Sequence, residues 1–119
     1  MKDLAKRAVT WVRVTFGEQA LARKERAARC LEEAAELAQA EGVTVDQAER
    51  IVQRVYSRPV GDPHQEGSDL GFCLLAWGEV TGFNIEEAVQ AKLDEVEAIP
   101  TEHWRKKLKD KIEAGTITG

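Results

Sequence analysis

The chain has 119 residues, 43% hydrophobic and 32% charged, with 21 acidic and 17 basic side chains. This size and composition fit a single domain over residues 1–119 and exclude a disordered or collagen-like polymer. The formal net charge of −4 argues against a nucleic-acid binder, and the longest apolar run, 72–77, is too short to span a membrane. No basic-then-apolar leader opens the sequence, so we expect a cytoplasmic protein.

Helical periodicity dominates the chain, and no run of alternating apolar and polar residues predicts a strand. Capping boxes at Thr44 with Gln47 and at Asn84 with Glu87 mark two helix starts. Two prolines and a glycine make 58–64 a rigid non-helical segment. We therefore expect an all-α protein, a four-helix-type bundle with one or two additional short helices. The predicted helices cover about 3–16, 18–41, 44–57, 66–81 and 84–98, with a short sixth helix capped by Thr101 and ending before Gly115.

The two cysteines lie in apolar helical patterns. Cys30 and Cys73 show neither a CxxC motif nor any metal-ligand spacing. We expect both to be buried free thiols.

Three glutamates share one sector of the predicted second helix. At about 100° per residue, Glu32, Glu33 and Glu36 fall within about a third of the circumference, between two apolar stripes. Neighbouring helices would half-enclose such a cluster and make it a binding site. The alternative is a solvated glutamate face on an alanine-rich helix.

A second acidic pair opens the predicted fourth helix. Glu66 and Asp69 are spaced i to i+3, and Asp69 shares a face with Cys73, Ala76 and Val80. This face continues as an apolar surface and is therefore expected to be buried. Charge complementarity with the helix N-terminus explains one acidic residue. A carboxylate on a buried face needs a further reason, because it is costly unless paired.

Metal binding supplies that reason. Carboxylates converging from two helices make an oxygen-rich site suited to a hard cation such as Mg²⁺. Neither motif contains histidine, which disfavours zinc and di-iron centres. His64, expected in the proline-rich loop, and His103, in the last helix, are interpreted as surface or capping residues.

A lysine lies near the centre of the apolar stripe on the predicted fifth helix. Ile85, Val89, Val96 and Ile99 trace this stripe, and Lys92 falls among them. Its side chain either extends past the core to water or reaches the carboxylates and holds a phosphate. Carboxylates, a divalent metal and a lysine are together typical of phosphoryl chemistry.

These motifs resemble those of a known enzyme family. The sequence EEAAE at 32–36, followed by EGSD at 66–69, is similar to the EExxE…ExxD signature of the MazG-like all-α nucleoside triphosphate pyrophosphohydrolases. The loop RPVGDP at 58–63 and the tripeptide GFN at 82–84 resemble the short, largely phage and bacterial branch of dATP/dGTP diphosphohydrolases. The resemblance covers about residues 10–110.

The resemblance implies hydrolysis between the α and β phosphates of a nucleoside triphosphate, giving the monophosphate and pyrophosphate. It implies two or more Mg²⁺ or Mn²⁺ ions per site. By position, the metal ligands would be Glu32, Glu33, Glu36, Glu66 and Asp69. Glu33 and Glu36 are the candidate catalytic residues, with Glu33 orienting or deprotonating the attacking water.

Basic residues are the candidate substrate contacts. Lys92 matches a lysine position of the family, and Arg58 belongs to the matching loop. Arg105 and Lys106 open a cationic run that either contacts phosphates or forms a solvated helix face. The family also implies a homodimer or homotetramer, and the three tryptophans are expected to supply apolar surface for it.

Two features of the acidic motif differ from the pattern of this branch. Gly67 and Ser68 replace its usual apolar middle, and members often have glycine at the position of Asp69. A purine deoxynucleotide, dGTP or dATP, is the substrate expected from the branch. The alternative function is a catalytically inactive helical interaction module of the same fold.

Overall fold

The computed structural model of the chain describes residues 2–116. Those residues form six α-helices and one 3-10 helix and contain no strand, which confirms the predicted all-α class. Within the same residues, we find no helix with the length and apolar content needed to span a bilayer. The helices are α1 (Lys2–Phe16), a 3-10 helix (Glu18–Leu21), α2 (Arg23–Ala40), α3 (Val45–Tyr56), α4 (Pro63–Thr81), α5 (Ile85–Ala98) and α6 (Thr101–Glu113).

Local hydrogen bonds begin α3 and α5 where the sequence predicts. Thr44 Oγ1 accepts a bond from the backbone N–H of Gln47 at 3.2 Å, and Asn84 Oδ1 accepts one from Glu87 at 3.0 Å. Each bond satisfies a backbone donor that the helix itself leaves without a partner. The two predicted N-caps are therefore confirmed.

The helix α4 begins three residues earlier than predicted. Asp62 is its N-cap and accepts a bond from Gln65 N–H at 3.0 Å, while Pro63 occupies the first turn. Proline suits this position because its missing N–H is not needed there and its φ is already helical. The connection between α3 and α4 is thus only 57–62, and His64 lies in the helix rather than in the loop.

The predicted helix over 18–41 is interrupted. Gly17 has φ of 94°, the segment Glu18–Leu21 is a 3-10 helix, and Ala22 is extended before α2 begins. The side chain of Arg26 donates to the carbonyl of Ala20 at 2.7 Å and so satisfies an acceptor at the break. The 3-10 helix packs on α1. This packing outweighs the helical propensity of the sequence.

The chain divides into two compact units, and unit 1 comprises Met1–Arg26 and Phe83–Gly119. In it, α1 packs against α5 and α6. The buried side chains are contributed by α1 and α5: Leu4, Val12, Thr15, Leu93 and Val96.

Two of the three tryptophans expected to offer surface for association, Trp11 and Trp104, belong to unit 1. The rings of Trp11 and Trp104 meet edge to face with centroids 5.5 Å apart, and both residues are half-buried.

The last helix differs from its prediction. Pro100 rather than Thr101 is the N-cap, without a side-chain bond, and α6 extends over 13 residues.

Unit 2, Ala27–Gly82, is much more exposed. It holds most of α2 with all of α3 and α4, and Gly78 is its only buried residue. Trp77 Nε1 donates to Glu41 of the α2 terminus at 3.2 Å. The C-terminus of α2 is closed by Gly42, whose φ is 91°, and by a bond from Val43 N–H to Ala38 O at 2.9 Å.

Two burial predictions are wrong for the chain on its own. Cys30 and Cys73 are exposed thiols. The α4 face that carries Asp69, Ala76 and Val80 is exposed as well. Helical periodicity identifies residues that share a face, but another element must pack there to bury them.

Candidate metal centre

Glu32, Glu33 and Glu36, hereafter the glutamate triad, project from the same part of α2. One carboxylate oxygen from each residue lies within 4.8 Å of those of the other two. Glu32 is half-buried, and the other two residues are exposed. Because they are spaced i, i+1 and i+4 along one helix, α2 alone is enough to bring them together.

Arg29 is a basic neighbour of the triad that was not predicted from the sequence. Its Nη1 lies 3.1 Å from Glu32 Oε1, and the side chains are only 15% and 27% exposed. The i, i+3 spacing on α2 was the available signal. Arg29 therefore helps to hold Glu32 in place and would compete with a cation for that carboxylate.

The donor set of the triad fits a hard divalent cation. It offers only carboxylate oxygens, which suit Mg²⁺, Mn²⁺ or Ca²⁺ and not the softer metals held by thiolates. Unit charges 4.8 Å apart repel by about 0.9 kcal/mol in water and about 3.5 kcal/mol at an effective dielectric constant of 20. A bound divalent ion would replace this repulsion by attraction.

The other two predicted ligands lie outside this cluster. Glu66 is in the first turn of α4 and Asp69 follows one turn later, and both are exposed. A Cβ added at Gly61 would lie 2.8 Å from Glu66 Oε1, so the missing side chain at that position leaves room for this carboxylate. Among residues 2–116, the triad is the one group of three or more potential ligands with mutually close atoms.

Of the predicted substrate contacts, Arg58 alone belongs to unit 2. It is exposed in the connection before α4, and its backbone N–H donates to Val55 O at 3.2 Å. Its side chain is accessible to an anion.

Lys92, Arg105 and Lys106 belong to unit 1. Lys92 is 62% exposed and lies 3.7 Å from Glu95, so its ammonium reaches water despite its place in the apolar stripe. Arg105 Nε donates to Thr15 O at 3.3 Å and thus satisfies a carbonyl near the end of α1. Lys106 is exposed on α6.

No protein-family model, curated protein or solved structure matches the chain. The observations that bear on function are therefore the glutamate triad and the sequence motifs around it.

Proposed function

We propose that this chain is a MazG-like, metal-dependent nucleoside triphosphate pyrophosphohydrolase. Its substrate would be a purine deoxynucleotide, dGTP or dATP, and its products the monophosphate and pyrophosphate. The observation that carries the proposal is the convergence of Glu32, Glu33 and Glu36 within 4.8 Å in the EExxE motif. The EGSD motif at 66–69 and the RPVGDP loop at 58–63 add sequence support.

Each acidic residue has a role in this proposal. The triad, together with Glu66 and Asp69, would hold two or more Mg²⁺ or Mn²⁺ ions. When bound, the ions would lower the pKa of a coordinated water and neutralise charge on the departing pyrophosphate. Glu33 accepts a proton from the attacking water, while Glu36 helps to fix the positions of the metal ligands around it. The water oxygen bonds to the α-phosphorus as the bond to the α–β bridging oxygen breaks.

The negative charge of a triphosphate requires cations at the acidic site. A triphosphate would be repelled by the carboxylates unless metal ions intervene. Arg58 and Lys92 have accessible side chains and are proposed phosphate contacts, with Lys106 as a further one. Arg105 would have to exchange its bond to a backbone carbonyl for one to phosphate.

Cellular setting and assembly complete the proposal. We place the protein in the cytoplasm, which for a phage-encoded chain is that of the host. We also propose that it forms a homodimer or homotetramer, as the family resemblance implies.

A nucleotide panel with Mg²⁺ or Mn²⁺ tests the reaction. Monophosphate and pyrophosphate should appear in equal amounts, and Glu36→Gln should reduce the rate by about 100-fold or more, since even outer partners of a metal contribute 10- to 100-fold. Glu49→Gln, an exposed glutamate on α3, is the matched control and should retain the wild-type rate. Release of inorganic phosphate with the nucleoside diphosphate, or no turnover with either metal, would contradict the proposal.

A second candidate is a catalytically inactive helical interaction module. The exposed apolar residues of α3 and α4 favour it. A genuine metal site must stabilise the folded protein when metal is added, by about 2.7 kcal/mol at 100 times the dissociation constant. An unchanged melting temperature with millimolar Mg²⁺ and Mn²⁺ would favour the module over the enzyme.

A further inference from the structure

The corner at which the loop before α4 meets the helix is fixed by local bonds. Pro63 restricts the residue before it, Asp62, to the extended region, and Asp62 has φ of −80° and ψ of 127°. The Asp62 carboxylate accepts from the backbone N–H of Gln65 at 3.0 Å, and the backbone N–H of Glu66 donates to Asp62 O at 2.9 Å. The position of the last loop residues relative to the first turn of α4 therefore depends on interactions between near neighbours in the sequence.

Gly61 lies directly before this corner, where the Glu66 side chain occupies the space that a side chain at position 61 would need. A Cβ added at Gly61 would lie 2.8 Å from Glu66 Oε1, 3.2 Å from Cδ and 3.4 Å from Cγ. Its three nearest neighbours thus all belong to one side chain. Because a contact of 2.8 Å is shorter than Cβ atoms make, the carboxylate can keep this position only while residue 61 is glycine.

The backbone itself does not require glycine at this position. The φ of Gly61 lies outside the left-handed region, unlike that of Gly17 or Gly82. Another residue could therefore adopt the same backbone conformation and would lose less conformational entropy on folding. What the missing side chain provides is room for the Glu66 carboxylate.

We propose that Gly61 is a positioning residue for Glu66. The missing side chain lets the Glu66 carboxylate lie against the loop, in the orientation in which it serves as a metal ligand. The inference rests on the proposed function, because it takes Glu66 as one of the ligands. It adds to that function a residue that has no side chain with which to bind an ion and that acts only through the carboxylate beside it.

A small displacement of this carboxylate is enough to weaken a metal site. An oxygen pushed from 2.8 Å to an ordinary contact of 3.4 Å moves by about 0.6 Å, which exceeds the margin of about 0.2 Å within which ligand distances must be reproduced. The fold loses little by the same movement, since Glu66 is exposed and its side chain can turn towards water. Metal binding and stability should therefore respond differently to a side chain at position 61.

Gly61→Ala separates the two responses. The dissociation constant for Mn²⁺, measured by calorimetry on the full chain without nucleotide, should rise by about 10-fold, the lower end of the effect of residues that orient metal ligands. The melting temperature in chelator should equal or slightly exceed that of wild type, because alanine restricts the unfolded chain. A lower melting temperature with unchanged Mn²⁺ affinity would show a structural role and overturn the proposal.

The matched control is Gly71→Ala, the same chemical change inside α4. A Cβ added at Gly71 would meet nothing within 4 Å, so no ligand would be displaced. This variant should bind Mn²⁺ like wild type. If Gly61→Ala and Gly71→Ala have the same dissociation constant, Gly61 does not position a ligand.

A double variant tests whether Gly61 acts through Glu66. Glu66→Ala removes the carboxylate and with it the atoms that a Cβ at position 61 would meet first. Adding Gly61→Ala to this variant should change the Mn²⁺ dissociation constant by less than about 2-fold, because residues that act through one contact are not additive. A further 10-fold increase, on the order of that expected in wild type, would mean that position 61 acts by another route and would overturn the proposal.

The contact can also be observed without metal. The Cβ position at Gly61 is 3.4 Å from Glu66 Cγ, so a nuclear Overhauser effect should connect the α protons of Gly61 with the γ protons of Glu66. Its absence in the metal-free protein would overturn the inference alone. If wild type binds no Mn²⁺, the proposed function fails and the role of Gly61 fails with it. A protein that gives the expected Mn²⁺ affinities but hydrolyses no nucleotide would refute the proposed reaction and support the role of Gly61.

Discussion

Replacing Glu36 by glutamine should have opposite effects on the metal-free and metal-bound protein. Glutamine has almost the same shape and helix propensity as glutamate, so the substitution chiefly removes one negative charge from the triad. Without metal, the loss of repulsion should stabilise the fold. With metal, the loss of a ligand should reduce the stabilisation that the cation provides.

The size of the first effect follows from the geometry. The triad carboxylates offer atoms within 4.8 Å of one another, so two pairwise repulsions of about 0.9 kcal/mol each are removed in aqueous surroundings. Physiological salt, with a screening length of about 8 Å, reduces this to about 1 kcal/mol. For a chain of this size, the melting temperature should rise by about 3 to 5 °C.

Thermal unfolding in chelator and in Mn²⁺, at one protein concentration, measures both effects. Wild type should gain stability with Mn²⁺, and Glu36→Gln should gain little or none. Glu49→Gln removes the same charge from α3 and serves as the control, with an unchanged response to Mn²⁺.

The result that would refute this reasoning is specific. If Glu36→Gln melts no higher than wild type in chelator, the triad charges do not repel as their separation requires. If the variant and wild type respond equally to Mn²⁺, Glu36 is not a ligand.

Three further predictions concern the fold. Arg7 pairs with Glu97 at 2.7 Å and, through this hydrogen bond, lowers the pKa of that carboxyl below its ordinary value of 4.5. The stability that this pair contributes is therefore present above pH 4.5 and is lost as the pH falls through the lowered pKa. Glu97→Gln should make the free energy of unfolding depend less steeply on pH in the acid range. An unchanged dependence on pH would contradict this prediction. Asp62→Ala should lower the free energy of unfolding in urea by about 1 kcal/mol, because it removes the N-cap of α4, whereas Asp62→Asn should keep most of the wild-type stability. Equal stability of the two variants would count against the cap. Gly17→Ala should cost about 1 to 3 kcal/mol, because φ of 94° with ψ of 169° is a region that only glycine adopts readily, and a neutral result would contradict that conformation.

The sequence predicted helix starts well where the signal was local. Thr44 and Asn84 bind the backbone three residues later, and these bonds need no distant partner. The break before α2 was missed because Ala22 and its neighbours favour helix, and packing of the 3-10 helix on α1 decided otherwise. Asp62 followed by Pro63 is a local signal that places the start of α4 at residue 63.

The candidate site was likewise predictable only where its residues lie close together on one helix. Glu32, Glu33 and Glu36 lie on one helix, so their spacing alone brings their carboxylates together. Glu66 and Asp69 come from another helix, and the spacing within that helix does not determine the distance to the triad. Whether they join a shared metal site stays a prediction.

By itself, the sequence determined the all-α class, the main helices and the glutamate triad, because each depends on interactions within a few residues. Only the tertiary structure decided which faces are covered. It placed Trp11 and Trp104 in contact within unit 1, and it left Cys73 and the large apolar residues of α3 exposed. The physical reason is that periodicity specifies which residues share a face of a helix, whereas burial depends on a second surface that no local pattern supplies.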